Sequence, residues 1–131
     1  MAIVVGYVPT KEGRAALDRA VEEAELRHTQ LVVINSSRGG RDLDADEARE
    51  SEKELQRVQD QLEGSGLGVD VRHLVRGNEP AEDLIAVANE VSADLIVIGL
   101  RRRTPVGKLI LGSNAQRILL DAPCAVLAVK G

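Results

Sequence analysis

The stretch from Gly99 to Asn114 gathers the residue types that grip an anion. Gly99 ends an apolar run, where a missing side chain lets a ligand come close to the backbone. Gly112 and Ser113 open a helical pattern whose first amides and dipole favour negative charge, and Ser113 is the expected cap. Arg101, Arg102, Arg103 and Lys108 lie between them, and an arginine holds a phosphate with a two-pronged donor fork. Phosphate binding is one reading of this stretch. A turn glycine, a simple cap and a solvated basic face is the other, and the residues alone leave both open. Two better-known glycine motifs are excluded. Gly107-Lys108 is followed by Leu109 rather than Ser or Thr, so the segment is not a Walker A loop, and Gly6 is not followed by a G-x-G-x-x-G run.

The other reactive side chains point to structure rather than to catalysis. Cys124 follows Pro123 at the start of an apolar run and reads as a core thiol, and a lone cysteine makes neither a disulfide nor a thiolate metal site. His28 falls near the end of the first helical pattern, where an imidazolium would meet carbonyl groups favourably. His73 is expected on the surface of an edge strand. Lys11 and Glu12 fall beside the end of the first strand, but Glu12 also suits the start of the following helix. No catalytic residue, and no general base for hydrolysis, stands out.

These residues must be positioned by alternating strands and helices. Ile3–Tyr7, Leu31–Ile34, Asp94–Gly99 and Cys124–Val129 are nearly continuous apolar runs, as strands covered on both faces should be. Val69–Val75 alternates instead and reads as an edge strand whose charges discourage further pairing. Between the runs, Leu17, Ala20, Val21 and Ala24 make one helical stripe. Ala48, Leu55, Val58 and Leu62 make a second on a polar helix from about 44 to 63. Ala81, Leu84, Ile85 and Ala88 make a third, with Asn78 or Glu79 at its start and Pro80 in its first turn. Ala115, Ile118 and Leu119 make a fourth. Crossovers of this length imply an α/β fold with a parallel sheet and helices on both faces, formed by residues 1–131 as one domain.

Composition narrows the function classes. Seventeen basic against twenty-one acidic residues, a net charge of -4, argue against a broad nucleic-acid or anionic-membrane footprint. Tyr7 is the only aromatic side chain among Phe, Trp and Tyr, so stacking platforms for single strands are lacking. No apolar run reaches the roughly 20 residues that span a bilayer, and the first residues do not read as a signal peptide. A cytoplasmic location is the expectation.

From Gly99-Leu100-Arg101-Arg102 through Gly112-Ser113, and on through Asn114–Val129 with its Ala122-Pro123 turn, the chain resembles the universal stress protein family. Gly77-Asn78-Glu79-Pro80-Ala81 resembles that family's third loop, and the likeness covers essentially the whole chain. The resemblance implies an open five-stranded parallel sheet of order 3-2-1-4-5, Rossmann-like and similar to the adenine nucleotide alpha hydrolases. It also implies a homodimer through the fifth strand, Ala125, Val126, Leu127, Ala128 and Val129. ATP-binding members carry a Gly-x2-Gly-x9-Gly-Ser/Thr pattern, so the implied ligand is ATP or AMP, with Mg2+ as companion ion. Carried onto this chain, Gly99, Gly112, Ser113 and Asn114 match the phosphate side and Val8, Pro9, Thr10 and Ser36 the base and ribose side, and Ile98, Arg101 and Arg102 complete the implied nucleotide-binding set. Two positions depart from the pattern: Arg102 replaces its second glycine, and Val8 the acidic residue that commonly follows the first strand. The implied function is a nucleotide-binding stress or regulatory protein. Its alternatives are a dimeric interaction module that works without nucleotide and a slow ATPase.

Overall fold

The computed structural model describes residues 2–37, 45–75, 78–100 and 111–131. Five strands alternate with four helices: β1 (Ala2–Gly6), α1 (Lys11–Arg27), β2 (Gln30–Ser37), α2 (Ala45–Glu63), β3 (Val69–Val75), α3 (Pro80–Glu90), β4 (Ala93–Leu100), α4 (Ser113–Asp121) and β5 (Ala125–Lys130). The strands form one parallel sheet of order β3-β2-β1-β4-β5, as expected from the family resemblance. β1 pairs with β2 through Ile3–Leu31 and Val5–Val33, and with β4 through Ile3–Leu95 and Val5–Val97. The chain builds outward from β1 to β3, then returns to lay β4 against the other side of β1. The order therefore reverses between β1 and β4, where a crevice opens at the carboxyl ends of the strands.

The period of two along each strand explains why the central runs are apolar throughout. Ile3, Val5, Leu31, Val33, Leu95 and Val97 face one layer, packed by Ala16, Leu17, Ala20 and Ala24 of α1 and by Leu55 and Val58 of α2. Val4, Val32, Ile34, Ile96 and Ile98 face the other, packed by Ala81, Leu84, Val87 and Ala88 of α3 and by Ile118 of α4. Strands with two buried faces have no position left for a polar side chain. Leu62 and Val21 join the first layer at its margin; Ala48 lies outside the described side chains.

Several local expectations change. Tyr7 lies just beyond β1, although its amide still donates to the Ile34 carbonyl at 2.8 Å. The N-cap of α4 is Gly112, not Ser113, which becomes the exposed first helical residue without a capping role. Leu119 is 43% exposed because the packed stripe of α4 runs through Ala115, Ile118 and Ala122, and Leu119 falls to one side of it. His73 is half-buried rather than superficial. It continues the Val69–Val71 face of β3, which packs toward α2, and its Nε2 is shielded from solvent without a hydrogen-bond partner among the described residues. The other face of β3 carries the expected edge charges. Arg72 pairs with Asp70 at 2.9 Å and with Glu90 of α3 at 2.5 Å.

Candidate functional site

A cavity of about 200 Å³ sits at the crevice between β1 and β4. The ends of three strands floor it: Gly6 at the end of β1 with Tyr7 and Val8 beyond it, Ile34 and Ser36 on β2, and Ile98 and Gly99 on β4. The N-terminal ends of three helices wall it, with Glu12 and Gly13 from α1, Pro80 and, one turn on, Leu84 from α3, and Asn114 and Ala115 from α4. This convergence follows from the topology, since in a parallel sheet with helical crossovers every strand end and every helix start lies on the same edge. Amides at helix starts have no partner within the helix and carry partial positive charge, so this edge favours an anionic group.

The α1 wall is set by contact between backbones. A Cβ on Gly13 would lie 1.9 Å from the Val8 carbonyl oxygen, and one on Gly99 would lie 2.4 Å from the Glu12 carbonyl oxygen. The missing side chain at Gly99 thus admits the chain's own α1 backbone. The expected close approach at this glycine is made by Glu12. Thr10 caps α1, its Oγ1 accepting from the Gly13 amide at 3.1 Å. Behind this wall Tyr7 donates from its hydroxyl to Glu54 of α2 at 3.0 Å, and Asn35 donates from Nδ2 to the Tyr7 carbonyl at 3.0 Å. Burial, and next the hydrogen bond to the Glu54 carboxylate, push the Tyr7 phenol up to about 12.

The α3 and α4 wall is set by side chains. Asn114 Oδ1 accepts from the Ala81 amide at 3.1 Å, so a residue in the first turn of α4 caps an amide in the first turn of α3. Asp83, 2% exposed, accepts from Ser36 Oγ at 2.5 Å and from Asn78 Nδ2 at 3.3 Å. Its placement in the first turn of α3 suits a carboxylate.

Of the residues singled out in the sequence, Val8, Ser36, Ile98, Gly99 and Asn114 line the cavity together. Pro9, Thr10, Gly112 and Ser113 do not line it: the first two lead into α1, the last two into α4. Arg101, Arg102, Arg103, Lys108 and Gly77 lie outside the described residues. Sequence reasoning missed Asp83 altogether. Its signal was the spacing to Val87, one turn further on, which places both on the buried side of α3. Cys124 packs beside the second core layer, away from the cavity, and burial with the nearby Asp94 charge pushes its thiol up, away from a reactive thiolate. No group of three or more metal-ligating side chains occurs among the described residues, and no described helix is long and apolar enough to cross a membrane.

A doubly wound parallel sheet with a crevice at its switch point defines a Rossmann-like α/β protein. The family model for the universal stress protein family matches residues 1–130, and the chain belongs to that family. It is 46% identical over 128 residues to a universal stress protein of Mycolicibacterium smegmatis, covering 98% of this chain and 96% of the relative. The fold superposes on a universal stress protein from Archaeoglobus fulgidus with a TM-score of 0.84 at 36% identity, covering 99% of this chain and 98% of the other. A universal stress protein structure from Archaeoglobus fulgidus in complex with dAMP gives a TM-score of 0.78 at 31% identity, with the same coverage.

Proposed function

We propose that the cavity binds an adenine nucleotide, ATP or AMP, and that the protein acts as a nucleotide-responsive regulatory member of its family. The observation that carries this reading is the pairing of an apolar slot with an anion-favouring rim. Ile34, Leu84, Ile98 and Ile118 offer the slot, which suits the faces of a flat base, while the starts of α1, α3 and α4 ring it. At about 200 Å³ the cavity is smaller than the roughly 300–1,000 Å³ typical of whole-ligand pockets, so it takes the base and sugar. The phosphates then lie at the rim, toward Gly112, Ser113 and Asn114, with Arg101 and Arg102, and Mg2+ carried with ATP, as their proposed countercharges. Val8 borders the base, with Pro9 and Thr10 carrying the chain from it into α1, and Ser36 meets the sugar. The relative in complex with dAMP supports the same ligand class.

The same reading makes the protein a homodimer through β5. Ala125–Val129 forms the outer edge of the sheet with small and branched apolar side chains, whereas the opposite edge is guarded by Asp70 and Arg72. A second reading, a dimeric interaction module that works without nucleotide, is favoured by one observation: Val8, 45% exposed, brings an apolar side chain to the cavity mouth.

Calorimetric titration of nucleotide-stripped protein with ATP, AMP and cyclic AMP, each with and without Mg2+, separates the two. Saturable binding at micromolar to low-millimolar ligand is expected. Flat titrations of folded protein with all three would leave the interaction module standing, and sedimentation velocity would test the dimer in either case.

A further inference from the structure

We propose that Asp83 is a positioning residue that fixes Ser36 as a hydrogen-bond acceptor toward the cavity, and so makes the site selective for a ribose hydroxyl. The inference rests on the nucleotide reading above and deepens it. A serine hydroxyl has one proton and two lone pairs. In this structure the proton of Ser36 is directed at Asp83 Oδ2 at 2.5 Å, on the side of Ser36 that faces α3. Asp83 is in no position to give a proton back as a carboxylate, because a carboxylate only accepts, and its other oxygen is already engaged by Asn78. The acceptor end of the pair is also shielded: Asp83 is 2% exposed, Ser36 is half-buried, and the apolar Leu84 next to Asp83 lines the cavity. What Ser36 presents to a ligand is therefore lone pairs alone.

That polarity restricts what can sit against it. A phosphate or a carbonyl oxygen would face lone pairs with lone pairs, close to a buried carboxylate. A sugar hydroxyl supplies the missing proton and keeps its own oxygen free for other donors. The arrangement also supplies an acceptor within the cavity, where Val8 stands in place of the acidic residue common after the first strand. Glu12, which lines the α1 wall, adds no donor to compete for Ser36 in its charged form.

The test reads selectivity rather than affinity, because a purely structural role for Asp83 would weaken all nucleotides alike. AMP, 2′-deoxyadenosine monophosphate and 3′-deoxyadenosine monophosphate are titrated into wild-type protein and into Ser36→Ala, Ser36→Thr and Asp83→Asn. For the wild type, AMP should bind about tenfold more tightly than one of the two deoxy analogues, the size expected for one hydrogen bond in a shielded site. Ser36→Ala should bring that ratio close to one. Ser36→Thr, which keeps the hydroxyl, should retain it. Asp83→Asn should narrow it, since an amide can donate to Ser36 and leave the serine hydroxyl free to present either its proton or a lone pair, so its acceptor character toward the ligand is no longer fixed. If Asp83→Asn does not fold, the two Ser36 variants decide the matter. Equal affinities of the wild type for all three nucleotides, or a ratio that survives Ser36→Ala, would overturn this inference and leave nucleotide binding intact. No binding of any of the three would sink both together.

Discussion

The two walls of the cavity are built in different ways. The α1 wall is backbone against backbone: Gly13 lies against the Val8 carbonyl and Gly99 against the Glu12 carbonyl, with no room for a methyl group at either. The α3 and α4 wall is held by side chains, Asn114 to the Ala81 amide and Asp83 to Ser36 and Asn78. A backbone contact cannot yield without moving a whole helix, while a side-chain contact can be exchanged one hydrogen bond at a time. The first wall therefore fixes the shape of the site, and the second sets its chemistry. Substitutions on the first should change stability, and those on the second should change which ligand binds and how well.

The sharpest break in that comparison is a methyl group on the first wall. Gly13→Ala should cost about 3 kcal/mol or more, because the displaced atom is the Val8 carbonyl oxygen, at 1.9 Å. Gly99→Ala, against the Glu12 carbonyl at 2.4 Å, should fall somewhat below it. Gly6→Ala is the control across the sheet. Its Cβ would meet the end of the Leu84 side chain at 2.9 Å, which can turn aside, so the cost should stay near 1 kcal/mol. Urea denaturation read by circular dichroism ranks the three, and a Gly6 variant as damaged as Gly13→Ala would erase the distinction between the walls.

The order of these effects was only partly legible in the sequence. The five strands, the four helices and the doubly covered sheet follow from runs such as Ile3–Tyr7 and from stripes such as Leu17, Ala20 and Ala24, because burial on both faces leaves a local signature. Gly99 was legible as a close approach. Its neighbour was not, since the contact with Glu12 joins segments far apart in the chain. Asp83 was legible only through its spacing to Val87 on the buried side of α3, and its partner was not legible at all. A carboxylate in the first turn of a helix reads as solvated, and only the tertiary fold brings the Ser36 hydroxyl to it. Asn114 was assigned from the family resemblance to the phosphate side, and the structure adds its bond to the Ala81 amide.

A second prediction probes the brace behind the α1 wall. Tyr7 is the only tyrosine and the chain has no tryptophan, so its ultraviolet absorbance titration reads one residue. The native midpoint should lie at about 12, and in denaturant it should return to about 10. The sign for stability follows. The folded-state value is raised, so the contribution is fully present below pH 10 and is lost as the pH rises through 12. Denaturation midpoints measured from pH 8 to pH 12 should fall for the wild type and fall less for Tyr7→Phe. A native midpoint near 10 would mean that Tyr7 is neither shielded from water nor held against Glu54, and that the wall moves more freely than its glycines suggest.

The smallest effect is expected at Asn114, and it divides most cleanly. Its Oδ1 supplies the Ala81 amide with an acceptor at 3.1 Å, while the residue also lines the cavity. Asn114→Ala leaves that amide without this partner and should cost about 1 kcal/mol. Asn114→Asp keeps an acceptor in the same place and adds negative charge in the first turn of α4, which the helix dipole favours, so stability should return to the wild-type level. The same charge faces the rim where nucleotide phosphates are proposed to lie. Asn114→Asp should therefore be as stable as the wild type yet bind AMP several-fold more weakly, with the deficit shrinking as salt is added. Chemical denaturation and calorimetry on the one variant read the two effects separately. Unchanged AMP affinity would place the phosphates away from α4, and the second wall would then govern only the base and sugar.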